Sequence, residues 1–247
     1  MRKFGLIGYP LSHSFSPAYF SNKFAESGIS NCSYDPYPIE KIEELPHLLQ
    51  QVAGLEGLNV TIPYKKQVIP YLHESTEAVK KMAACNCITI KNGYLKGFNT
   101  DVIGFEKSVQ PLLTGNHNKA LVLGTGGSAA AVEFVLQKLN IDFLFVSRNK
   151  TDSNDHITYH EISETILSSH KLIINTTPLG MHPAIDACPP IPYQYLTKTH
   201  YLYDLVYNPA ETLFLKKGAE MGATVKNGAD MLIIQAEESW KIWNSNL

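Results

Sequence analysis

The chain has 247 residues, 44% apolar and 18% charged, with a net charge of −2 from 21 Lys+Arg against 23 Asp+Glu. That is enough chain to bury a core in one large domain or two small ones, and too apolar for disorder. With no Lys/Arg stripe a dedicated nucleic-acid binder is excluded, and no apolar run approaches the ~20 residues that span a bilayer.

Residues 1–5 lead into a strand-like segment with no apolar leader, so the expected location is the cytoplasm. Cys32, Cys85, Cys87 and Cys188 are too few for a disulfide scaffold. They read as reduced thiols packed as small side chains. The nine His show no ligand spacing, so no metal is expected.

Residues 3–8 read as a first strand. Ser16 and Pro17 predict a helix start, because Ser accepts a backbone N–H as cap and Pro at the first helical position loses no intrahelical bond. Gly28 marks its stop. A strand over 31–37, a helix over 40–52, a strand over 58–62 and short helices over 64–72 and 76–83 follow. Residues 87–91 and 94–98 flank Asn92-Gly93, which tolerates positive φ at both turn positions and predicts a hairpin. An apolar-periodic helix over 102–113 then serves as a candidate hinge. After a polar loop come a buried-type strand over 119–123, an Ala-rich helix over 128–139 and a strand over 141–146. Residues 171–175 and 201–206 are apolar without alternation, as strands covered on both faces are. Asn208-Pro209 is read as the cap of a helix reaching about residue 221, and 228–243 as the closing helix.

This alternation predicts an α/β fold of two domains. The first is an N-terminal substrate domain over 1–102, joined by the C-terminal helix 228–247. The second is Rossmann-like, over 103–227.

The strongest chemical signal is strand, Gly124-Thr125-Gly126-Gly127-Ser128-Ala129, helix. It is the G-x-G-x-x-A form of the dinucleotide fingerprint. Gly124 permits a tight turn, Gly126 a close approach to pyrophosphate, and Ala129 close helix–strand packing. The helix start offers free N–H groups to phosphate. At the end of the second strand an NAD site places an acid on the ribose. Here Ser147, Arg148 and Asn149 stand there instead, and Arg offers a forked cation to a 2′-phosphate. The residues therefore favour NADP, against the plain alternative of a solvated surface Arg.

Six ordered motifs along nearly the whole chain resemble the shikimate dehydrogenase family. They are Gly8-Tyr9-Pro10-Leu11-Ser12-His13-Ser14-Phe15-Ser16-Pro17, Asn59-Val60-Thr61-Ile62-Pro63-Tyr64-Lys65, Asn99-Thr100-Asp101-x-x-Gly104, Asn175-Thr176-Thr177-Pro178-Leu179-Gly180-Met181, Asp204-Leu205-Val206-Tyr207-Asn208-Pro209, and Asn227-Gly228 with Gln235-Ala236-Glu237.

The resemblance implies reversible, NADPH-dependent reduction of 3-dehydroshikimate to shikimate, a step of aromatic amino-acid biosynthesis. It implies Lys65 and Asp101 as the catalytic pair. Ketone reduction leaves charge on oxygen, which an ammonium stabilises and a carboxylate orients. It further implies that Ser14, Ser16 and Tyr207 bind a carboxylate and that Asn59, Thr61, Asn86 and Gln235 address ring hydroxyls. Thr176, Pro178, Leu205 and Gly228 would lie near the nicotinamide. Each has a plain alternative: a solvated lysine for Lys65, a helix cap for Asp101 and Ser16, turn or strand residues for Ser14, Asn86, Asn59 and Thr61, a surface helix position for Gln235, core for Leu205, a turn for Gly228. For His13 a loop-stabilising hydrogen bond is expected.

Three stretches depart from the family pattern. Ala18-Tyr19-Phe20-Ser21 stands where His-Asn is common, Cys85 and Cys87 flank Asn86, and Ser147 replaces an Asn before the Arg. Two rival readings stay open. One is a quinate/shikimate dehydrogenase that uses NAD. The other is a catalytically silent NADP-binding regulatory module, which would have lost the Lys65/Asp101 pair. Partners are expected to be small molecules, with no nucleic acid and no membrane, in a monomer or homodimer.

Overall fold

The computed structural model describes residues 1–12 and 14–245, so His13 and its expected loop bond lie outside it. The chain forms two compact units. One is Met1–Thr100 with Gln235–Leu247, the other Asp101–Ile234.

The first unit contains β1 (Arg2–Gly8), α1 (Phe15–Glu26), β2 (Cys32–Pro38), α2 (Leu45–Gln51), β3 (Leu55–Val60), β4 (Glu74–Ser75), α3 (Glu77–Met82), β5 (Cys87–Lys91) and β6 (Tyr94–Phe98). Its mixed sheet has the order β2-β1-β3-β5-β6-β4, with β3, β5 and β6 running antiparallel in turn. Side chains alternate along β1. Phe4 and Leu6 pack with Phe20, Phe24, Tyr34 and Trp243 on one face, while Ile7 packs with Leu45, Leu58, Tyr64 and Val68 on the other. The hairpin falls where Asn92-Gly93 places it, with φ of 51° and 79°.

The second unit carries most of α4 (Thr100–Val109), then β7 (Lys119–Leu123), α5 (Ala129–Lys138), β8 (Asp142–Ser147), β9 (His156–Thr158), α6 (Glu164–Ser169), β10 (Leu172–Asn175), β11 (Tyr201–Asp204), α7 (Leu213–Glu220) and β12 (Thr224–Lys226). α8 (Ala229–Asn244) closes the chain. The sheet is wholly parallel, in the order β12-β11-β10-β7-β8-β9. Counted from β7 this is 3-2-1-4-5-6 read from the other edge, the doubly wound order of dinucleotide folds, with the strand order reversing between β7 and β10. The fold is α/β with a Rossmann-like second unit.

Local expectations fail where proline or a loop intervenes. α1 begins at Phe15, flanked by Ser14, so Ser16 is not its cap and Pro17 sits in the first turn, where no N–H is needed. The helix expected over 40–52 splits into a 3-10 turn at Ile42–Glu44 and α2, with Pro46 near the start of α2. The segment expected as a helix over 64–72 is turns and a 3-10 turn at Ile69–Tyr71, between Pro63 and Pro70. The helix after Asn208-Pro209 starts only at Leu213, capped by the Thr212 hydroxyl, which accepts from Leu215 N at 3.4 Å. α4 starts at Thr100, so Asp101 lies in its first turn and does not cap it. Short β4, β9, α6 and β12 carried no clear periodicity.

Candidate functional site

In the second unit a cavity of about 760 Å³ opens where β7, β8 and β10 end. Gly124, Thr125, Gly126, Ser147, Arg148, Asn149, Thr176 and Pro178 line it, with Thr151, Tyr159, Thr177, Leu179 and Cys188, to which the sequence reading gave no site role. Gly124 has φ +102°, and a Cβ there would come within 2.8–2.9 Å of Thr177 and Thr176. Only glycine fits this turn. A Cβ at Gly126 or Gly127 would meet nothing within 4 Å. The loop thus leaves room above its backbone for a ligand, at the switch point where dinucleotides bind. Gly127 and Ser128 continue exposed into α5. Leu205 and Gly228 are not among the lining residues. They touch each other, a Cβ on Gly228 falling 2.3 Å from Leu205 O. Among the described residues no acid lines the cavity beside the exposed Arg148.

The turn after β10 rests on a fully buried carboxylate. Asp204 Oδ1 accepts from Asn175 Nδ2 (2.9 Å) and Val206 N (3.0 Å), and Oδ2 accepts from Thr212 Oγ1 (2.6 Å). Asn175 Oδ1 in turn accepts from Thr177 N (3.0 Å) and Thr177 Oγ1 (2.6 Å). Burial pushes the Asp204 carboxyl up to about 6, against the pull of those donors. Asp204 therefore fixes a wall of the cavity without lining it.

The first unit holds a different arrangement. Tyr34 donates to Asn59 Oδ1 (2.8 Å), and Asn59 Nδ2 donates to Ser239 Oγ (2.9 Å) and Asn86 O (3.2 Å). Ser239 donates to Gln235 O (2.9 Å) and lies 3.3 Å from Thr100 Oγ1. Thr100 N donates to Asn86 Oδ1 (2.7 Å), Asn86 Nδ2 donates to Thr100 Oγ1 (3.1 Å), and that hydroxyl donates to Gln235 Oε1 (3.4 Å). Burial pushes the Tyr34 phenol up, opposed by hydrogen bonding from the Ser16 hydroxyl, so Tyr34 stays a neutral donor. Ser16, Asn59, Asn86 and Gln235 thus share one buried polar network. Both ends of the Asn59 amide are occupied by protein groups. Phe20, at the departure from the family pattern, stacks on Tyr34 at 4.4 Å.

Lys65 is half-buried on the turn after β3, while Lys66 beside it is exposed. The buried Tyr64 ring anchors this turn, its hydroxyl donating to Ile39 O (2.7 Å). Thr61 begins it, donating to Ile7 O (2.9 Å) and accepting from Tyr64 N (2.9 Å). Lys65 O accepts from Cys85 N (2.8 Å). Lys65 and Thr100 are therefore tied to the adjacent residues Cys85 and Asn86, and Asp101 directly follows Thr100. Ser14 flanks α1, its N–H on Leu11 O (3.1 Å). Tyr207 follows β11 in the second unit and is exposed.

Sequence reasoning missed Tyr34, Thr100, Ser239 and Asp204. Ser239 lies four residues after Gln235 on α8, one helical turn on and so on the same face, and Thr100 lies inside the Asn99-Thr100-Asp101 motif. Asp204 likewise opens the Asp204-Leu205-Val206-Tyr207-Asn208-Pro209 motif, whereas Tyr34 carried no such signal. Among the described residues no group of three or more His, Cys, Asp and Glu is placed to hold a metal, and no helix is long and apolar enough to cross a membrane.

Residues 6–88 match the model of the shikimate dehydrogenase substrate binding domain. The NADP(+) shikimate dehydrogenase of Clostridium beijerinckii is 38% identical over 98% of this chain and 92% of its own. Among solved structures, a shikimate dehydrogenase of Thermus thermophilus in complex with NADP(H) and shikimate aligns with a TM-score of 0.83 and 28% identity, over 99% of this chain and 93% of that one. A quinate dehydrogenase of Corynebacterium glutamicum in complex with NAD aligns with a TM-score of 0.87 and 25% identity, over 98% of this chain and 93% of that one.

Proposed function

The chain belongs to the shikimate dehydrogenase family, and on that premise we propose that it catalyses the reversible reduction of 3-dehydroshikimate to shikimate with NADPH. The observation that carries the proposal is 38% identity across 98% of the chain, with Lys65 and Asp101 both kept in their motifs.

The residues at the cavity suit the cofactor. The glycine loop leaves its backbone open to a pyrophosphate, and Arg148, with Ser147 and Asn149, meets a 2′-phosphate where an acid would repel it. When bound, the nicotinamide would supply the hydride for the ketone carbon. Charge then develops on the ketone oxygen, and the Lys65 ammonium stabilises it by a charge-assisted hydrogen bond. Asp101 orients Lys65 and accepts from the neighbouring hydroxyl. Ser14, Ser16 and Tyr207 take the substrate carboxylate. Thr61, Asn86 and Gln235 address the ring hydroxyls, since amides and hydroxyls both donate and accept. Asn59 acts from beneath, through Asn86 and Ser239. Thr176 and Pro178 line the nicotinamide end. A cytoplasmic setting belongs to the same reading and fits four cysteines that are all free thiols.

The test is loss of NADPH absorbance on adding 3-dehydroshikimate, run beside NADH and beside quinate oxidation. Turnover with NADPH and 3-dehydroshikimate is expected. No turnover with that pair overturns the proposal, and equal rates with quinate and NADH establish the quinate/shikimate alternative.

A further inference from the structure

We infer that Thr100 is a positioning residue for the substrate site, acting by fixing which way round the Asn86 and Gln235 amides are held. This rests on the reading that those two amides meet the substrate's hydroxyls. Thr100 is fully buried, and it presents a donor and an acceptor side by side. Its backbone N–H meets Asn86 Oδ1 at 2.7 Å and its Oγ1 receives Asn86 Nδ2 at 3.1 Å. A carboxamide's oxygen and nitrogen are almost the same size, so packing alone barely distinguishes the two orientations. The Thr100 backbone N–H distinguishes them, because a flipped Asn86 would set N–H against N–H, and the hydroxyl beside it accepts from Nδ2 in the orientation seen.

The hydroxyl has one proton to give. Ser239 spends its own proton on Gln235 O at 2.9 Å, and Asn86 Nδ2 already fills an acceptor site on Thr100. The Thr100 proton is thereby left for Gln235 Oε1 at 3.4 Å, Ser239 Oγ at 3.3 Å or Asn86 Oδ1 at 3.3 Å. The bond to Gln235 takes up the oxygen end of that amide and makes the nitrogen end the donor. One buried threonine, through its backbone N–H and its hydroxyl, therefore meets the amides of two side chains far apart in the sequence. A polyol ligand reads such a pattern directly, since each of its hydroxyls needs a partner of defined sense.

Thr100→Val keeps the shape and the backbone N–H but removes the hydroxyl, while Thr100→Ser keeps the hydroxyl. The valine variant is expected to raise KM for 3-dehydroshikimate about tenfold, the size of one hydrogen bond with its buried partner left unpaired. Its KM for NADPH should not change, and the serine variant should keep both KM values near wild type. An unchanged KM for 3-dehydroshikimate in Thr100→Val overturns the inference. So does an equal rise in both KM values, or a serine variant as impaired as the valine one. If Thr100→Val does not fold, Ser239→Ala opens the same hub from α8. A rise confined to the KM for 3-dehydroshikimate then sustains the inference, and no rise or an equal rise in both overturns it. Wild-type turnover separately decides the reading of the function.

Discussion

The two units build their sites from opposite materials. The first buries neutral side chains, Tyr34, Asn59, Asn86, Thr100, Gln235 and Ser239, in a network where donors and acceptors are matched. The second shapes its cavity with backbone and small residues, and then sets a single ionisable carboxyl, Asp204, behind the wall. On the proposed function, the difference follows from what each must recognise. A hydroxylated ring needs many directional neutral contacts. A dinucleotide needs room near the backbone, helix-start N–H groups and a cation. Neutral networks tolerate changes of pH, whereas a buried carboxyl ties the second unit's stability to it.

The largest expected effect separates chemistry from cofactor binding. Lys65→Ala should lower kcat by roughly 10²–10³, the range for losing one donor to a developing oxyanion, while NADPH affinity by fluorescence titration stays put. Near-wild-type turnover would remove Lys65 from the reaction.

Asp204→Asn probes the charged wall. With the folded carboxyl at about 6 and an unfolded value of 3.8, Asp204's linked stability is full below about 4 and lost as pH rises through 6. The swing is about 3 kcal/mol. His117, His170 and His200 slope the other way, since burial lowers all three. Their contribution is full above about 6.5 and is lost as pH falls through their lowered folded values. The wild-type minus Asp204→Asn difference in urea stability isolates the carboxyl and should fall between pH 4 and 7. A flat difference would show that Asp204 keeps an ordinary carboxylate value in the fold.

Arg148→Ala should weaken NADPH by about 1.5–3 kcal/mol, as expected for a charge-assisted hydrogen bond, and leave NADH unchanged. Equal losses for both cofactors would strike out the 2′-phosphate contact. The smallest effect is a control outside both sites. Gly93→Ala forces a Cβ onto φ +79° in the hairpin and should cost about 1 kcal/mol in thermal unfolding with no change in either KM.

Much of the architecture was legible because its signals are local. Asn92-Gly93 determined a hairpin, alternation along β1 separated its two faces, and the unbroken apolar runs of β7 and β10 marked a covered parallel sheet. Helix starts were less legible. Ser16-Pro17 and Asn208-Pro209 both look like caps, yet Ser14 and Thr212 flank the helices, because several residues near a helix start can satisfy the same N–H groups.

The site shows the same division. The glycine loop and the cation at Arg148 could be read directly, since both work through chemistry carried by neighbouring residues. The network could not. Tyr34, Asn59, Thr100 and Ser239 lie on four separate elements, and nothing in a linear sequence states that a hydroxyl at 239 will face an amide at 59. The sequence by itself determined most of the element types, the glycine loop and the residue chemistry available, because propensity and periodicity act over a few positions. Only the tertiary structure decided which polar groups are buried together and which end of each amide points where, because burial removes water as an alternative partner and makes every unmatched donor costly.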